Sequence, residues 1–135
     1  RGGIVRLREG RWTSLPPVFG LVTDLHEERG GRLWVATVRS GIVRIDGRRR
    51  VALTTAQGLP SDAVNAVEVD VRGRVWAGTA RGLARVQDTA ASAVGHATLP
   101  PGPVLSLLAL GDGRLLVGTE HGAYIGDGDR FAPVH

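Results

Sequence analysis

The chain lacks cysteine and lysine, and three tryptophans, two phenylalanines and one tyrosine are its only aromatic residues. Without cysteine there can be no disulfides, no thiolate metal sites such as zinc fingers, and no cysteine nucleophile, and the redox compartment stays open. The longest nearly continuous apolar run, residues 104–110, has seven residues. A membrane span requires roughly 20. The sequence therefore predicts no membrane-inserted segment.

Positive charge in this chain comes from arginine alone. All 17 basic residues are arginine, against 13 acidic residues, which gives a formal net charge of +4. Most of these arginines stand singly in strand-like segments, and the only basic run is residues 48–50. Binding a phosphate backbone requires a basic stripe rather than one corner. We interpret the run as a solvated hairpin tip and predict no nucleic-acid partner.

The overall composition is that of a globular chain rich in turns. Of the 135 residues, 42% are hydrophobic and 22% are charged, which is typical of a folded domain rather than a disordered one. The 20 glycines and 7 prolines are a heavy load of turn formers for this length. They argue against long helices.

One short segment occurs three times at a nearly constant spacing. It appears at residues 31–37 (GRLWVAT), 73–79 (GRVWAGT) and 113–119 (GRLLVGT), offset by 42 and then 40 residues. A glycine and a short apolar segment follow each copy, at residues 41–45, 82–86 and 122–125. Residues 3–7 match this second element with nothing of the first before it, so we expect the chain to begin inside a repeat.

Each repeat carries the pattern of four short strands. An apolar run precedes each copy at residues 22–25, 64–67 and 104–107, and weaker fourth strands are expected at residues 11–15, 50–54, 95–99 and 130–134. Gly31, Gly73 and Gly113 are placed to supply the positive φ of a tight hairpin turn. Four antiparallel strands in 40 to 42 residues predict an all-β fold of β-propeller blades, about three in this chain.

The period also divides the chain. We expect the outer two strands of one blade at residues 1–17 and blades at residues 18–59, 60–100 and 101–135. Closed propellers usually have four or more blades. We therefore expect this chain to be part of a larger propeller, with strand edges that the remaining blades or a second protomer would cover.

The repeats resemble the two-component regulator propeller repeat. The second full repeat carries most of the pattern, with residues 58–62 (GLPSD), Val64, Asp70, Gly73, Trp76, residues 78–79 and residues 82–83. The other copies depart from it, with Ala36 where glycine is usual and Leu116 in place of tryptophan.

The resemblance implies a propeller of seven blades in the periplasmic or extracytoplasmic input region of a bacterial hybrid two-component histidine kinase or a related regulator. It implies a sensor whose ligand is often carbohydrate-derived. It places no catalysis and no cofactor in these residues, since phosphoryl chemistry belongs to an output module.

The repeated residues have structural explanations. Trp34, Trp76 and Leu116 share one repeat position and are expected to pack between adjacent blades. Thr37, Thr79 and Thr119 fall at strand ends, where a hydroxyl satisfies backbone groups. Glu28, Asp70 and Asp112 precede hairpin glycines, and we expect their carboxylates to accept hydrogen bonds from turn amides.

Candidate ligand-binding residues fall in the loops of one propeller face, where variation costs the fold least. The turns between second and third strands contain Arg39, Ser40, Arg81 and His121, and the segments that join blades contain Phe19, Ser61 and Asp62. Arg39, Arg81 and His121 occupy roughly equivalent positions, so they form a hypothetical arc of donors for a carboxylate, sulfate or phosphate. The alternative is that these tips are polar because water covers them.

Two other function classes stay open. A protein-interaction platform would need no small ligand. A propeller lyase or lactonase would need metal-binding carboxylates or paired histidines, and neither pattern is present, so we predict no metal site and no catalytic residue.

Overall fold

The computed structural model of the protein describes residues 4–8, 11–15 and 21–134, and for the first two ranges only the backbone. A hairpin of β1 (Ile4–Arg8) and β2 (Arg11–Leu15) comes first. Three four-stranded antiparallel sheets follow, named blades 1 to 3. Blade 1 contains β3 (Val22–Glu27), β4 (Leu33–Thr37), β5 (Ile42–Asp46) and β6 (Arg49–Leu53). Blade 2 contains β7 (Val64–Val69), β8 (Val75–Thr79), β9 (Gly82–Val86) and β10 (Ala91–Val94). Blade 3 contains β11 (Val104–Ala109), β12 (Leu115–Thr119), β13 (Gly122–Gly126) and β14 (Phe131–Pro133).

Every blade is an up-and-down sheet in which consecutive strands pair. The only helical element in the described ranges is one 3₁₀ turn, Thr55–Gln57, between blades 1 and 2. The predicted all-β class with four-stranded blades is confirmed. The hairpin glycines behave as expected, since Gly31, Gly73 and Gly113 have φ angles of 96°, 79° and 93°.

The fourth strand of blade 2 does not lie where the sequence predicts it. It runs over Ala91–Val94 rather than residues 95–99, and it pairs with β9 from Ala91 opposite Val86 to Val94 opposite Leu83. Gly95, at φ 71°, ends the strand, and the amides of Thr98 and Leu99 both donate to its carbonyl oxygen. Alanine, which occupies two of the four positions, is depleted in strands. The pairing partner, rather than propensity, therefore decides the strand.

The core lies between blades. Trp34 projects from blade 1 into a cluster with Val75, Ala77 and Val86 of blade 2, and it is 1% exposed. Trp76 is 2% exposed and projects in the same way against Leu115 and other residues of blade 3. Each blade is therefore stabilised by the face of its neighbour, which is why the residues repeat at the blade period.

Side chains from the innermost strands also join neighbouring blades. Each innermost strand has a register shift near its start, which leaves Thr23, Asn65 and Leu105 as the extra residues of three equivalent bulges. The Thr23 hydroxyl donates to the carbonyl oxygen of Val64 at 2.6 Å, and the Asn65 amide donates to that of Val104 at 2.9 Å. A bulge frees a residue from its own ladder, and here two of the freed side chains bind the next blade.

Substituting Gly78→Ala is expected to lower the free energy of unfolding by about 1 to 3 kcal/mol, the range for overpacking a filled site. A Cβ at Gly78 would stand 2.6 Å from Cγ1 of Val104 in blade 3. Urea denaturation measures the loss. Gly30→Ala is the control, because a Cβ there meets nothing within 4 Å. Equal losses in both variants would contradict close packing at Gly78.

Candidate functional site

The turns between second and third strands lie at the same end of the blades as the segments that join one blade to the next. In an up-and-down sheet, alternate turns fall at opposite ends, so residues 37–42, 79–82 and 119–122 share an end with residues 54–63 and 95–103. This end carries the predicted ligand-binding loops. We call this end the joining face. The other end, which carries the remaining hairpin turns, is called the opposite face.

A threonine hydroxyl shapes each turn of the joining face. The hydroxyls of Thr37, Thr79 and Thr119 donate to the carbonyl oxygens of Gly41, Gly82 and Gly122 at 2.8 to 2.9 Å. They also accept hydrogen bonds from the backbone amides of Ser40, Arg81 and His121. The turn of blade 1 is one residue longer than the other two. Ser40 rather than Arg39 therefore occupies the hydrogen-bonding position of Arg81 and His121, and Arg39 lies exposed one residue earlier.

Ser61 and Asp62 hold the junction between blades 1 and 2 together. Oδ1 of Asp62 accepts a hydrogen bond from the amide of Thr55 at 2.8 Å, and its carbonyl oxygen accepts one from Gly41 at 2.9 Å. The Ser61 hydroxyl accepts one from the amide of Ala63 at 3.1 Å. Phe19, the remaining candidate, lies outside the described residues.

A cleft of about 520 Å³ opens on the joining face between blades 2 and 3. Its floor is apolar and consists of the buried side chains of Leu83, Leu99 and Val104. Its rim carries Arg81 and His96, both exposed. The volume falls within the roughly 300 to 1,000 Å³ that is usual for small-molecule sites.

The joining segment of residues 95–103 forms one wall of this cleft. Gly95 and Gly102 have φ angles of 71° and 114°, a conformation that favours glycine. Pro100 and Pro101 between them fix φ near −65° and stiffen the wall. The cleft is therefore held open by backbone conformation as well as by its buried floor.

Of the candidate ligand-binding residues that the structure describes, only Arg81 lines this cleft. Arg39, Ser40, Ser61, Asp62 and His121 do not line the cleft. His96 and Leu99 do line the cleft. The sequence does not indicate them as site residues, because its pattern predicts a strand at residues 95–99. Gly95 and the prolines that follow it disfavour a strand, and they are the sequence signal that indicates a loop here.

The rim is electrostatically mixed. In the described part of the chain, Arg81 forms no ion pair, so its guanidinium is free for a ligand. The carboxylate of Glu120 lies near the rim, since a Cβ at Gly102 would be 3.6 Å from its Oε1. An apolar floor with one free guanidinium, an imidazole and a nearby carboxylate can hold a ligand that has an apolar face and polar or anionic substituents.

Two further observations concern chemistry and membranes. Among residues 4–8, 11–15 and 21–134, no three His, Asp or Glu side chains come together in a way that could bind a metal ion. Over the same residues, no helix has the length and apolar character needed to cross a bilayer.

Comparison with solved structures shows the fold of the chain. The extracellular domain of BT3049 from B. thetaiotaomicron, described as a hybrid two component system, matches with a TM-score of 0.75 and 16% identity over 99% of this chain. That of BT4673, a hybrid two component system from the same organism, matches with a TM-score of 0.66 and 19% identity over 94%. The chain spans 22% and 19% of the lengths of those two domains.

No protein-family model matches the chain. No curated protein matches it either. The likeness to the two solved structures is therefore one of fold, and it agrees with the resemblance of the repeats to the two-component regulator propeller repeat.

Proposed function

We propose that this chain is part of the ligand-sensing propeller of a bacterial two-component regulator. The propeller would lie outside the cytoplasm, which in a cell with an outer membrane means the periplasm. One observation carries the proposal. Nearly the whole chain has the fold of extracellular domains from two hybrid two component systems. The repeats themselves resemble the propeller repeat of such regulators, which supports the same role.

The ligand class proposed for the cleft is a small molecule or oligosaccharide with an anionic group. The apolar floor of Leu83 and Leu99 suits the flat face of a sugar ring, and Arg81 suits a carboxylate. The described cleft has no aromatic side chain of the kind that stacks on neutral sugars. An acidic oligosaccharide therefore fits this site better than a neutral one.

The sensor would act with further blades or a second protomer rather than as an isolated segment. Leu105 and Leu108 on β11 are 49% and 51% exposed, whereas the equivalent strand of blade 2 is covered by blade 3. Exposed apolar residues on an innermost strand are suited to packing against another blade. This chain would bind and transmit, and any catalysis would lie in an attached output module.

Substituting Arg81→Ala is expected to weaken binding of an acidic oligosaccharide by about tenfold or more, because it removes a charge-assisted hydrogen bond. Isothermal titration calorimetry with oligogalacturonides, and with neutral galacto-oligosaccharides of equal length, measures the effect. Arg48→Ala is the matched control, since Arg48 is exposed on the opposite face. Adding Arg39→Ala tests the arc of cations, which predicts a further loss.

The outcomes separate the alternatives. Unchanged affinity in Arg81→Ala would contradict the cleft as the binding site. If the Arg39→Ala, Arg81→Ala double variant binds no more weakly than Arg81→Ala alone, Arg39 does not contact the ligand. If neither oligosaccharide series binds, the protein-interaction platform is favoured over the sensor of acidic sugars.

A further inference from the structure

A second, smaller cleft lies on the opposite face, again between blades 2 and 3. Its volume is about 270 Å³, slightly below the range for drug-sized ligands. Blade 2 supplies one wall, which is lined by Arg72, Arg74, Arg85, Trp76 and Val94. The turn between β13 and β14 of blade 3 supplies the other wall, with Asp127, Gly128 and Asp129.

The blade 2 wall carries more positive charge than its own carboxylate neutralises. Asp70 is paired with Arg74 at 2.7 Å and also accepts hydrogen bonds from the Trp76 indole and two backbone amides. Arg72 and Arg85 form no ion pair with any described residue. Nε of Arg85 is buried without a hydrogen-bond partner. A buried unpartnered donor is costly, so a carboxylate that enters the cleft would allow this guanidinium to turn and satisfy it.

The blade 3 wall carries the opposite charge. Oδ1 of Asp127 accepts hydrogen bonds from the amides of Asp129 and Arg130, which lower the pKa of Asp127, and the nearby charge of Arg74 lowers it further. The Asp129 carboxylate is exposed and has no ion-pair partner among the described residues. Gly128 between them lies against the Trp76 ring, where a Cβ would come within 2.5 Å of the indole.

In the equivalent cleft between blades 1 and 2, the corresponding arginines are bonded directly to the neighbouring blade. There Nη1 of Arg32 pairs with Oδ1 of Asp88 at 2.7 Å, and Arg44 donates to the carbonyl oxygen of Asp88 while its Nε pairs with Asp46. Arginines of blade 1 thus bridge directly to blade 2. Between blades 2 and 3, Arg74 donates to the carbonyl oxygen of Gly113 at 3.4 Å, but Arg72, Arg74 and Arg85 form no ion pair with Asp127 or Asp129 across the cleft.

We infer that the cleft between Arg72, Arg85 and Trp76 of blade 2 and Asp127 and Asp129 of blade 3 binds a small zwitterion of the α-amino-acid class. Its carboxylate lies on the guanidinium groups, its ammonium lies between the two aspartates, and its side chain lies toward Val94. An ion of one sign would leave one wall unneutralised. A ligand that carries both charges a few bonds apart neutralises both walls at once.

NMR titration of the protein at constant ionic strength tests this inference, with L-alanine and two probes that each lack one of its charged groups. L-alanine carries both charges, propanoate only the carboxylate, and ethylammonium only the ammonium. We expect L-alanine to shift the Arg85 Nε–H and Trp76 indole N–H signals saturably. The half-probes should bind at least tenfold more weakly. The Arg44 Nε–H signal, from the equivalent arginine with a carboxylate partner, should not move. No saturable shift with L-alanine, or equal binding of either half-probe, would overturn the inference.

Two variants locate the binding. Arg85→Gln and Asp129→Asn are each expected to weaken L-alanine binding by about tenfold or more. The exposed Arg48→Gln is the matched control and should leave binding unchanged. The Asp129 side chain is exposed and binds no other described side chain, so Asp129→Asn should not unfold the protein. It therefore tests the site even if Arg85→Gln unfolds. Binding that survives Asp129→Asn unchanged would overturn the assignment of the ammonium to this wall.

Discussion

Substituting Trp76→Ala is expected to lower the free energy of unfolding by about 3 to 5 kcal/mol, the range for truncating a large buried aromatic residue. Trp76 is 2% exposed and lies at the centre of the contact between blades 2 and 3. Its removal leaves a cavity that both blades would have to close. Urea denaturation followed by circular dichroism measures the loss.

Trp76 also has a polar role, which adds to the expected effect. Its indole nitrogen donates to Asp70 at 3.0 Å, and the guanidinium carbons of Arg74 and Arg85 lie 5.2 and 5.5 Å from its ring centroid. Trp76→Phe keeps most of the ring and removes the N–H donor. We expect it to destabilise the protein less than alanine does, and the difference between the two variants measures the packing contribution.

Leu116→Ala is the matched control for Trp76→Ala, because Leu116 occupies the same repeat position in blade 3 and is only half-buried. No described blade packs on its face of the sheet. Its loss of stability should therefore be clearly smaller. Equal losses in the two variants would contradict the view that burial between blades, rather than the repeat position itself, determines the contribution.

The second large effect is expected for Asp70→Asn, at about 3 kcal/mol, the lower end of the range for breaking a buried ion pair. The Asp70 side chain is 1% exposed, whereas that of its partner Arg74 is 22% exposed and keeps some contact with water. Asparagine has the same shape, but its amide NH₂ would face groups that are all donors. The measurement is again the free energy of unfolding.

The same carboxylate predicts a pH dependence. Burial raises the pKa of Asp70, but hydrogen bonds from the Trp76 indole and from Arg74 and Arg72 outweigh this effect and lower the pKa below its usual value. A group with a lowered folded pKa stabilises the fold fully above its unfolded pKa of about 3.9. This stabilisation is lost as pH falls through the folded value. Below about pH 3.9, wild-type stability should thus fall more steeply than that of Asp70→Asn.

Asp112→Asn is the control, since Asp112 lies in the corresponding turn of blade 3 and also pairs with the arginine that follows the hairpin glycine, at 2.8 Å. Its side chain is 52% exposed, and exposed ion pairs contribute little. If Asp112→Asn and Asp70→Asn changed stability equally, burial of the Asp70 network would not be the cause of the effect.

The parts of the fold that could be predicted from sequence are those that recur. The three-fold recurrence of the segment around Trp34 and Trp76 predicted the blades, because every blade faces the same packing problem against its neighbour. The strand Ala91–Val94 was missed, because its alanines and serine pair with β9 for a tertiary reason that no local pattern records. Contacts such as that of Arg44 with Asp88, 44 residues apart, likewise depend on how two blades meet.

The candidate site was predictable only in part, for a related reason. Arg81 could be placed, since its turn belongs to the repeat. His96 and Leu99 could not, because the segment of residues 95–103 is where the repeat is broken. The cleft forms where one junction between blades differs from the others, and a repeating sequence pattern carries no information about such a junction.

The bonds from the bulges of the innermost strands run in one direction along the chain. Thr23 donates from blade 1 to blade 2, and Asn65 donates from blade 2 to blade 3. In both bonds the donor side chain belongs to the earlier repeat and the acceptor to the next one. Both acceptors are backbone carbonyl oxygens, which every residue carries, so these two bonds between blades do not depend on which side chain the next repeat has at that position.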